Sequence, residues 1–95
     1  MLDLKELFEK HNREFIKFER VENKLNQRAD IHAFLLLDQL VPGSKDIVAS
    51  AEHDKIWLAV EPDEIAEVAT EEQIIDLIRC GVMYCRDYDS FCMFV

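Results

Sequence analysis

The sequence predicts a single α+β domain over residues 1–95, with an antiparallel sheet of four or five strands, in two β-hairpins, packed with two or three helices. Three observations predict this fold. A capping box at Thr70 begins a helix, short β-branched and aromatic segments precede and follow that helix, and Pro42 and Gly81 end two helical patterns. A chain of 95 residues is long enough for one hydrophobic core.

The helix over residues 70–80 has the clearest signal. In the capping box, the Thr70 side chain accepts a hydrogen bond from the backbone N–H of Gln73, and Gln73 bonds back to Thr70. Arg79 suits the negative end of the helix dipole. Gly81 readily adopts the positive φ that ends a helix.

Two earlier helices are predicted from apolar spacing. Residues 2–11 carry leucine and phenylalanine at helical intervals. Residues 30–41 have a wide apolar face, with Asp30 as the cap and Pro42 as the stop. His32 lies within this helix and is expected to be packed in the core.

Two segments remain ambiguous. Over residues 15–21, Phe15 and Phe18 continue the helical spacing, but the run is β-branched and aromatic and alternates from Ile16 onward. This pattern favours a fifth strand, and the helical alternative stays open. Likewise, Ser44 can cap a short helix that competes with the first strand of the first hairpin.

The first hairpin is predicted around a two-residue turn at His53 and Asp54. That turn places Ala49 opposite Leu58 and builds one apolar face, which leaves Trp57 on the other face. Trp57 is then either covered by a helix, which we expect, or exposed as an anchor for a partner.

The second hairpin is predicted over residues 82–95. With a loop of Tyr88 and Asp89, Cys85 lies directly opposite Cys92, and this placement permits either a disulfide or two free thiols. Three cysteines and the absence of a secretory pattern favour reduced thiols and a cytoplasmic protein.

Acidic charge is concentrated in the second half of the chain. Residues 1–45 carry eight acidic and eight basic side chains, whereas residues 46–95 carry twelve acidic and three basic ones, which accounts for the net charge of −9. Such a surface repels phosphate backbones, so no direct nucleic-acid binding is expected. It favours a basic protein as partner. The longest apolar run is too short to cross a bilayer, so no membrane partner is expected.

An acidic cluster lies between the first hairpin and the capped helix. Its members Glu61, Asp63, Glu64 and Glu67 precede the predicted helix start, so the helix dipole does not account for them. With Trp57 they are the candidate partner-binding residues. Their carboxylates either imitate a row of phosphates to a basic groove or form a solvated rim.

A second candidate site is the hairpin tip of Glu52, His53 and Asp54. These residue types serve acid–base chemistry and metal binding, but three adjacent residues at a tip point in different directions. The cysteine spacings match no common zinc pattern. We therefore assign no catalytic residue, metal or cofactor, and a small-ligand or metal-binding role for the tip is the alternative.

Several short stretches carry a resemblance, namely HAFLLLD at residues 32–38, PG at 42–43, AEHD at 51–54, IWL at 56–58, RCGV at 79–82 and MFV at 93–95. In these stretches the chain is similar to a family of small uncharacterised proteins of tailed bacteriophages and prophages. The resemblance covers most of the chain from about residue 18 onward. It implies a viral accessory protein in the bacterial cytoplasm and brings no catalytic residue with it.

These observations together predict a non-enzymatic accessory protein. We expect it to bind a host or phage protein through its acidic C-terminal half. A basic, nucleic-acid-binding partner fits that charge, and the chain would then act as a nucleic-acid mimic.

Overall fold

The computed structural model describes residues 2–43, 46–85 and 87–94. Within them the α+β class and the four-stranded antiparallel sheet are confirmed. The helices are α1 (Leu4–Lys10), α2 (Ala29–Leu40), α3 (Pro62–Val68) and α4 (Glu71–Arg79), and the strands are β1 (Val48–Glu52), β2 (Lys55–Leu58), β3 (Met83–Cys85) and β4 (Ser90–Phe94). In the described part of the chain, no helix is both long and apolar enough to span a membrane.

The sheet joins the two hairpins through β2 and β4. Its strand order is β1-β2-β4-β3, and each neighbouring pair is antiparallel. In the central pair, Ile56 lies opposite Met93 and Trp57 lies opposite Cys92. Because side chains alternate between the two faces of a strand, these two pairs point to opposite sides of the sheet.

The helices pack on the face of the sheet that carries Phe91 and Met93. Both side chains are buried in a core that also contains Leu37 of α2 and Ile74 of α4. Trp57 lies on the other face, outside this core. The sheet therefore has one face that the helices cover and one face, here called the open face, that they leave uncovered within the described residues.

Helix α3 is a fourth helix where the sequence predicts two or three, and it includes residues 63–68, for which one helical turn is expected. Pro62 stands in its first turn, where the missing N–H is no loss and the fixed φ suits a helix. Ile65 and Ala66 are buried against the core, so tertiary packing stabilises a segment that is too short to be helical alone.

Helix α4 confirms the predicted capping box. The Thr70 hydroxyl accepts from the Gln73 N–H at 3.2 Å, and the Gln73 side chain accepts from the Thr70 N–H at 2.8 Å. Gly81 has a φ of 97°, as its predicted role in ending the helix requires. The buried residues of this helix are Ile74, Ile75, Leu77 and Ile78.

Asp30 lies inside helix α2, so its predicted role as the cap is wrong. The helix begins at Ala29, and its N-cap residue Arg28 makes no side-chain capping bond. The Asp30 carboxylate accepts from the Ile31 N–H at 2.9 Å and pairs with Arg28 at 3.3 Å. Asp30 thus stands in the first turn, where the helix dipole also favours a carboxylate.

Residues 15–21 do not form the predicted fifth strand. One short 3₁₀ turn at Asn12–Glu14 precedes this segment and another at Phe18–Arg20 lies within it, and most of the backbone bonds close within these turns. Arg79 of α4 holds the first turn by donating to the Glu14 carboxylate at 3.1 Å. The conformation depends on a residue far away in sequence, and the local pattern could not show it.

Strand β1 is an exposed edge, and its register differs from the predicted one. The turn at His53 and Asp54 is confirmed. However, Val48 rather than Ala49 lies opposite Leu58, because a bulge interrupts the ladder at this point. All five residues of β1 are exposed, so the predicted apolar face of this strand does not enter the core.

The second hairpin has a longer loop than the predicted two residues. Cys85 lies opposite Ser90, and Cys92 lies opposite Met83, so the predicted direct opposition of Cys85 and Cys92 is wrong by two positions. Asp89 in the loop has a φ of 45°, which aspartate tolerates better than most residues.

Three predicted boundaries fall outside the described residues, namely the helix cap Ser44 and the strand ends Arg86 and Val95. The competing helix after Ser44 is nevertheless wrong, since β1 occupies the residues in which that helix would end.

Two leucines of α2 provide a matched test of the core. Leu37 is 0% exposed, whereas Leu35 on the same helix is 41% exposed. We expect Leu37→Ala to lower the free energy of unfolding by about 2–5 kcal/mol, because it leaves a cavity in the core. Leu35→Ala should change it by about 0.5 kcal/mol or less. Urea unfolding of both variants measures the difference, and equal losses would contradict the described orientation of α2.

His32 is a buried polar residue of α2, with 2% of its surface exposed. Its Nδ1 accepts from the Leu25 N–H at 3.0 Å, so Nε2 carries the hydrogen, and this atom has no hydrogen-bond partner among the described residues. Burial lowers the pKa of His32; the Asp76 carboxylate opposes this effect, and the Lys24 ammonium adds to it. The folded protein therefore favours the neutral imidazole.

This buried histidine predicts a pH-dependent stability. Below about pH 6.5, the ordinary value for histidine, the unfolded chain binds a proton at His32 that the folded protein resists. The free energy of unfolding should therefore fall as the pH drops from about 6.5 toward the lower folded pKa of His32. Urea titrations at several pH values measure this slope. It should disappear in His32→Gln and persist in the control His53→Gln, and a slope unchanged in His32→Gln would contradict the prediction.

Candidate functional site

A groove of about 460 Å³ opens beside Trp57 on the open face of the sheet. It extends from β1 across β2 to the loop between β3 and β4 and to the start of α3. The side chains that give it chemical character are Ser50, Glu52, Trp57, Glu61, Tyr88 and Asp89. Loops and a sheet edge contribute most of them, which is typical of binding sites positioned by a rigid scaffold.

Two aromatic rings form one wall of the groove. The ring centroids of Trp57 and Tyr88 lie 5.2 Å apart, with an edge-to-face angle of 78°. Trp57 is half-buried, and Tyr88 is 73% exposed. A tyrosine ring that remains this exposed contributes little to the core and is available to a ligand.

A cation already lies against this aromatic wall. The Lys55 ammonium is 5.1 Å from the centroid of Trp57 and 5.7 Å from that of Phe94, which is itself 54% exposed. Both distances are within the range of cation–π attraction. The indole ring of Trp57 therefore stands in an environment that accepts positive charge.

Three carboxylates line the groove around the aromatic rings. Glu52 ends β1, Glu61 precedes α3, and Asp89 lies in the loop before β4. Asp89 is oriented by the Tyr84 hydroxyl, which donates to its carboxylate at 2.8 Å. Glu61 is the N-cap residue of α3, but its side chain makes no capping bond. Within the described ranges, Glu52 and Glu61 have no ion-pair partner, so both carboxylates are available to an external cation.

The predicted acidic cluster is divided between two surfaces. Glu61 lines the groove together with Trp57, whereas Asp63, Glu64 and Glu67 are exposed on α3. Asp63 and Glu64 lie in the first turn of α3. The expectation that no helix dipole accounts for these two residues is therefore wrong.

The three residues of the hairpin tip also lie on different surfaces. Glu52 lines the groove, while His53 and Asp54 form the exposed turn, with a φ of 48° at His53. Among residues 2–43, 46–85 and 87–94, no three histidine, cysteine, aspartate or glutamate side chains are placed to hold a metal ion. Of the three, Glu52 is the residue that lines this groove.

Sequence reasoning missed Lys55, Tyr88 and Asp89 as members of this site. Tyr88 and Asp89 come from the second hairpin and Trp57 from the first, so their proximity depends on the pairing of β2 with β4. The sequence signal that could have indicated Tyr88 and Asp89 is an aromatic residue next to carboxylates in a predicted loop. No local pattern indicates which strand that loop adjoins.

Comparisons with known proteins identified no relative of this chain. No family model, curated protein or solved structure matches this chain. The resemblance to bacteriophage proteins therefore stays a prediction, and the groove must be interpreted from its own chemistry.

Proposed function

We propose that this chain is a non-enzymatic binding protein whose groove receives a basic segment of a partner protein. One observation carries the proposal, namely the aromatic pair of Trp57 and Tyr88 with the carboxylates of Glu52, Glu61 and Asp89 around it. An arrangement of aromatic faces and carboxylates suits a cationic side chain, because the ring quadrupole and the negative charges attract it together.

Arginine fits this groove better than lysine does. Its planar guanidinium stacks on an aromatic face and at the same time forms paired hydrogen bonds with a carboxylate. Trp57 provides the ring, and Glu52 and Glu61 provide carboxylates without partners among the described residues. A lysine ammonium offers neither the stacking plane nor the fork of donors.

The charge around the groove supports a basic partner. Residues 46–95 carry the whole net charge of −9, and the exposed carboxylates of Asp63, Glu64 and Glu67 on α3 extend the negative surface beyond the groove. Such a field accelerates association with a positively charged protein and repels nucleic acid. A nucleic-acid-binding protein has the required basic surface. Such a partner would be a host or phage protein in a bacterial cytoplasm.

Two variants that remove the same number of charges distinguish binding in the groove from attraction to the overall negative charge. The groove variant carries Glu52→Gln, Glu61→Gln and Asp89→Asn, and the α3 variant carries Asp63→Asn, Glu64→Gln and Glu67→Gln. The probe is a dye-labelled hexa-arginine peptide, and its affinity is measured by fluorescence anisotropy at about 0.15 M salt.

We expect the groove variant to bind the peptide about tenfold more weakly, which corresponds to roughly 1.4 kcal/mol. The α3 variant should lose clearly less, because its charges act on the peptide only through screened solvent. Trp57→Leu should also weaken binding, and hexa-lysine should bind more weakly than hexa-arginine. Equal losses in the two charge variants, or full affinity in Trp57→Leu, would show that the groove is not the binding site.

A further inference from the structure

Two thiols meet on the open face of the sheet. The Sγ atoms of Cys85 and Cys92 are 2.7 Å apart, and both cysteines are free. Cys85 is half-buried, whereas Cys92 is 0% exposed. The contact thus joins a half-buried cysteine to a fully buried one.

The register of the second hairpin explains how the sulfur atoms meet. Cys85 lies opposite Ser90 and Cys92 opposite Met83, so the two cysteines are diagonal neighbours on the same face. Diagonal neighbours are about 7–8 Å apart, which is longer than the Cα separation of most disulfides, about 4.4–6.8 Å. The sulfur atoms nevertheless lie in contact, because the two side chains point to the same face.

We propose that Cys85 and Cys92 form a redox-active dithiol that exchanges with low-molecular-weight disulfides such as oxidised glutathione. The contact, the unequal burial and the diagonal register of the two cysteines support this assignment. It does not depend on the binding of a basic segment in the groove.

The first step takes place at Cys85. Its thiolate attacks one sulfur of oxidised glutathione, the sulfur–sulfur bond of that disulfide breaks, and one glutathione leaves and takes a proton. Cys85 is then joined to the other glutathione as a mixed disulfide. Cys92 does not perform this attack, because burial and its contact with Cys85 raise the pKa of Cys92 to about 12.

The second step takes place at Cys92. Burial still raises the pKa of Cys92, but its sulfur already lies against the Cys85 sulfur, so the attack is intramolecular and a small thiolate fraction is enough. Cys92 attacks the Cys85 sulfur, the bond between Cys85 and glutathione breaks, and the proton of Cys92 passes to the second glutathione, which leaves as a thiol. The protein dithiol is oxidised to a disulfide, and one oxidised glutathione is reduced to two molecules of glutathione.

Cys80 provides an internal control. It is 6% exposed, and burial raises its pKa to about 12. The structure gives it no sulfur neighbour among the described residues, so it should remain a thiol while the other two react.

The test is to incubate the native protein with oxidised glutathione, block the remaining thiols under denaturing conditions and map the cysteine peptides by mass spectrometry. We expect one disulfide between Cys85 and Cys92, with Cys80 blocked as a free thiol. Cys92→Ser should accumulate a stable mixed disulfide at Cys85, and Cys85→Ser should not react. Dithiothreitol should restore both thiols in the wild-type protein.

Trp57 offers a second readout that needs no substitution. It is the sole tryptophan of the chain and lies directly opposite Cys92. Since a nearby disulfide quenches indole fluorescence, emission should fall on oxidation and recover on reduction. A persistent mixed disulfide in the wild-type protein, a bond to Cys80, or thiols that react only after unfolding would overturn the proposal.

Discussion

The pairing of β2 with β4 is the interaction on which the rest of the structure depends. It joins two hairpins that helices α3 and α4 separate in sequence. Its formation closes a long loop, and burial on one side of the sheet offsets the loss of chain entropy. Met93 and Ile56 then face the helices, and Trp57 and Cys92 face away from them. The groove and the pair of thiols are both consequences of this single register, because a slip of one residue would send every one of these side chains to the opposite face.

One-sided burial also explains why a small acidic protein leaves apolar area uncovered. The helices bury one face of the sheet, and no described helix remains for the other. The open face keeps Tyr88 and Phe94 exposed beside Trp57. The surrounding carboxylates keep such a face compatible with water. Under the proposed function, an arginine-containing segment would contact both the rings and the carboxylates.

The sequence revealed those features that local residues determine. The capping box at Thr70, the end of α4 at Gly81 and the turn at His53 and Asp54 each depend on residues within a few positions, and all were predictable. The bulge in β1 and the longer loop of the second hairpin were not predictable, because the alternation of apolar residues does not show where a strand or loop contains an extra residue. Residues 15–21 contact α4, since Ile16 N–H donates to the Ile78 carbonyl and Arg79 donates to the Arg20 carbonyl, and the local pattern does not show these contacts. In the same way, the sequence indicates Trp57 and Glu61 as site residues, but Tyr88 and Asp89 lie beside them only because β2 pairs with β4.

Nuclear Overhauser measurements on Trp57 test the central claim most directly. If the two hairpins pair as described and leave one face of the sheet open, the indole protons of Trp57 should show cross-peaks to the ring of Tyr88 and to protons of Cys92. The same indole should show no cross-peaks to the buried methyl groups of Leu37 or Ile74. Cross-peaks from the indole to these helix methyl groups, without any to Tyr88, would contradict the register of the sheet and the groove that depends on it.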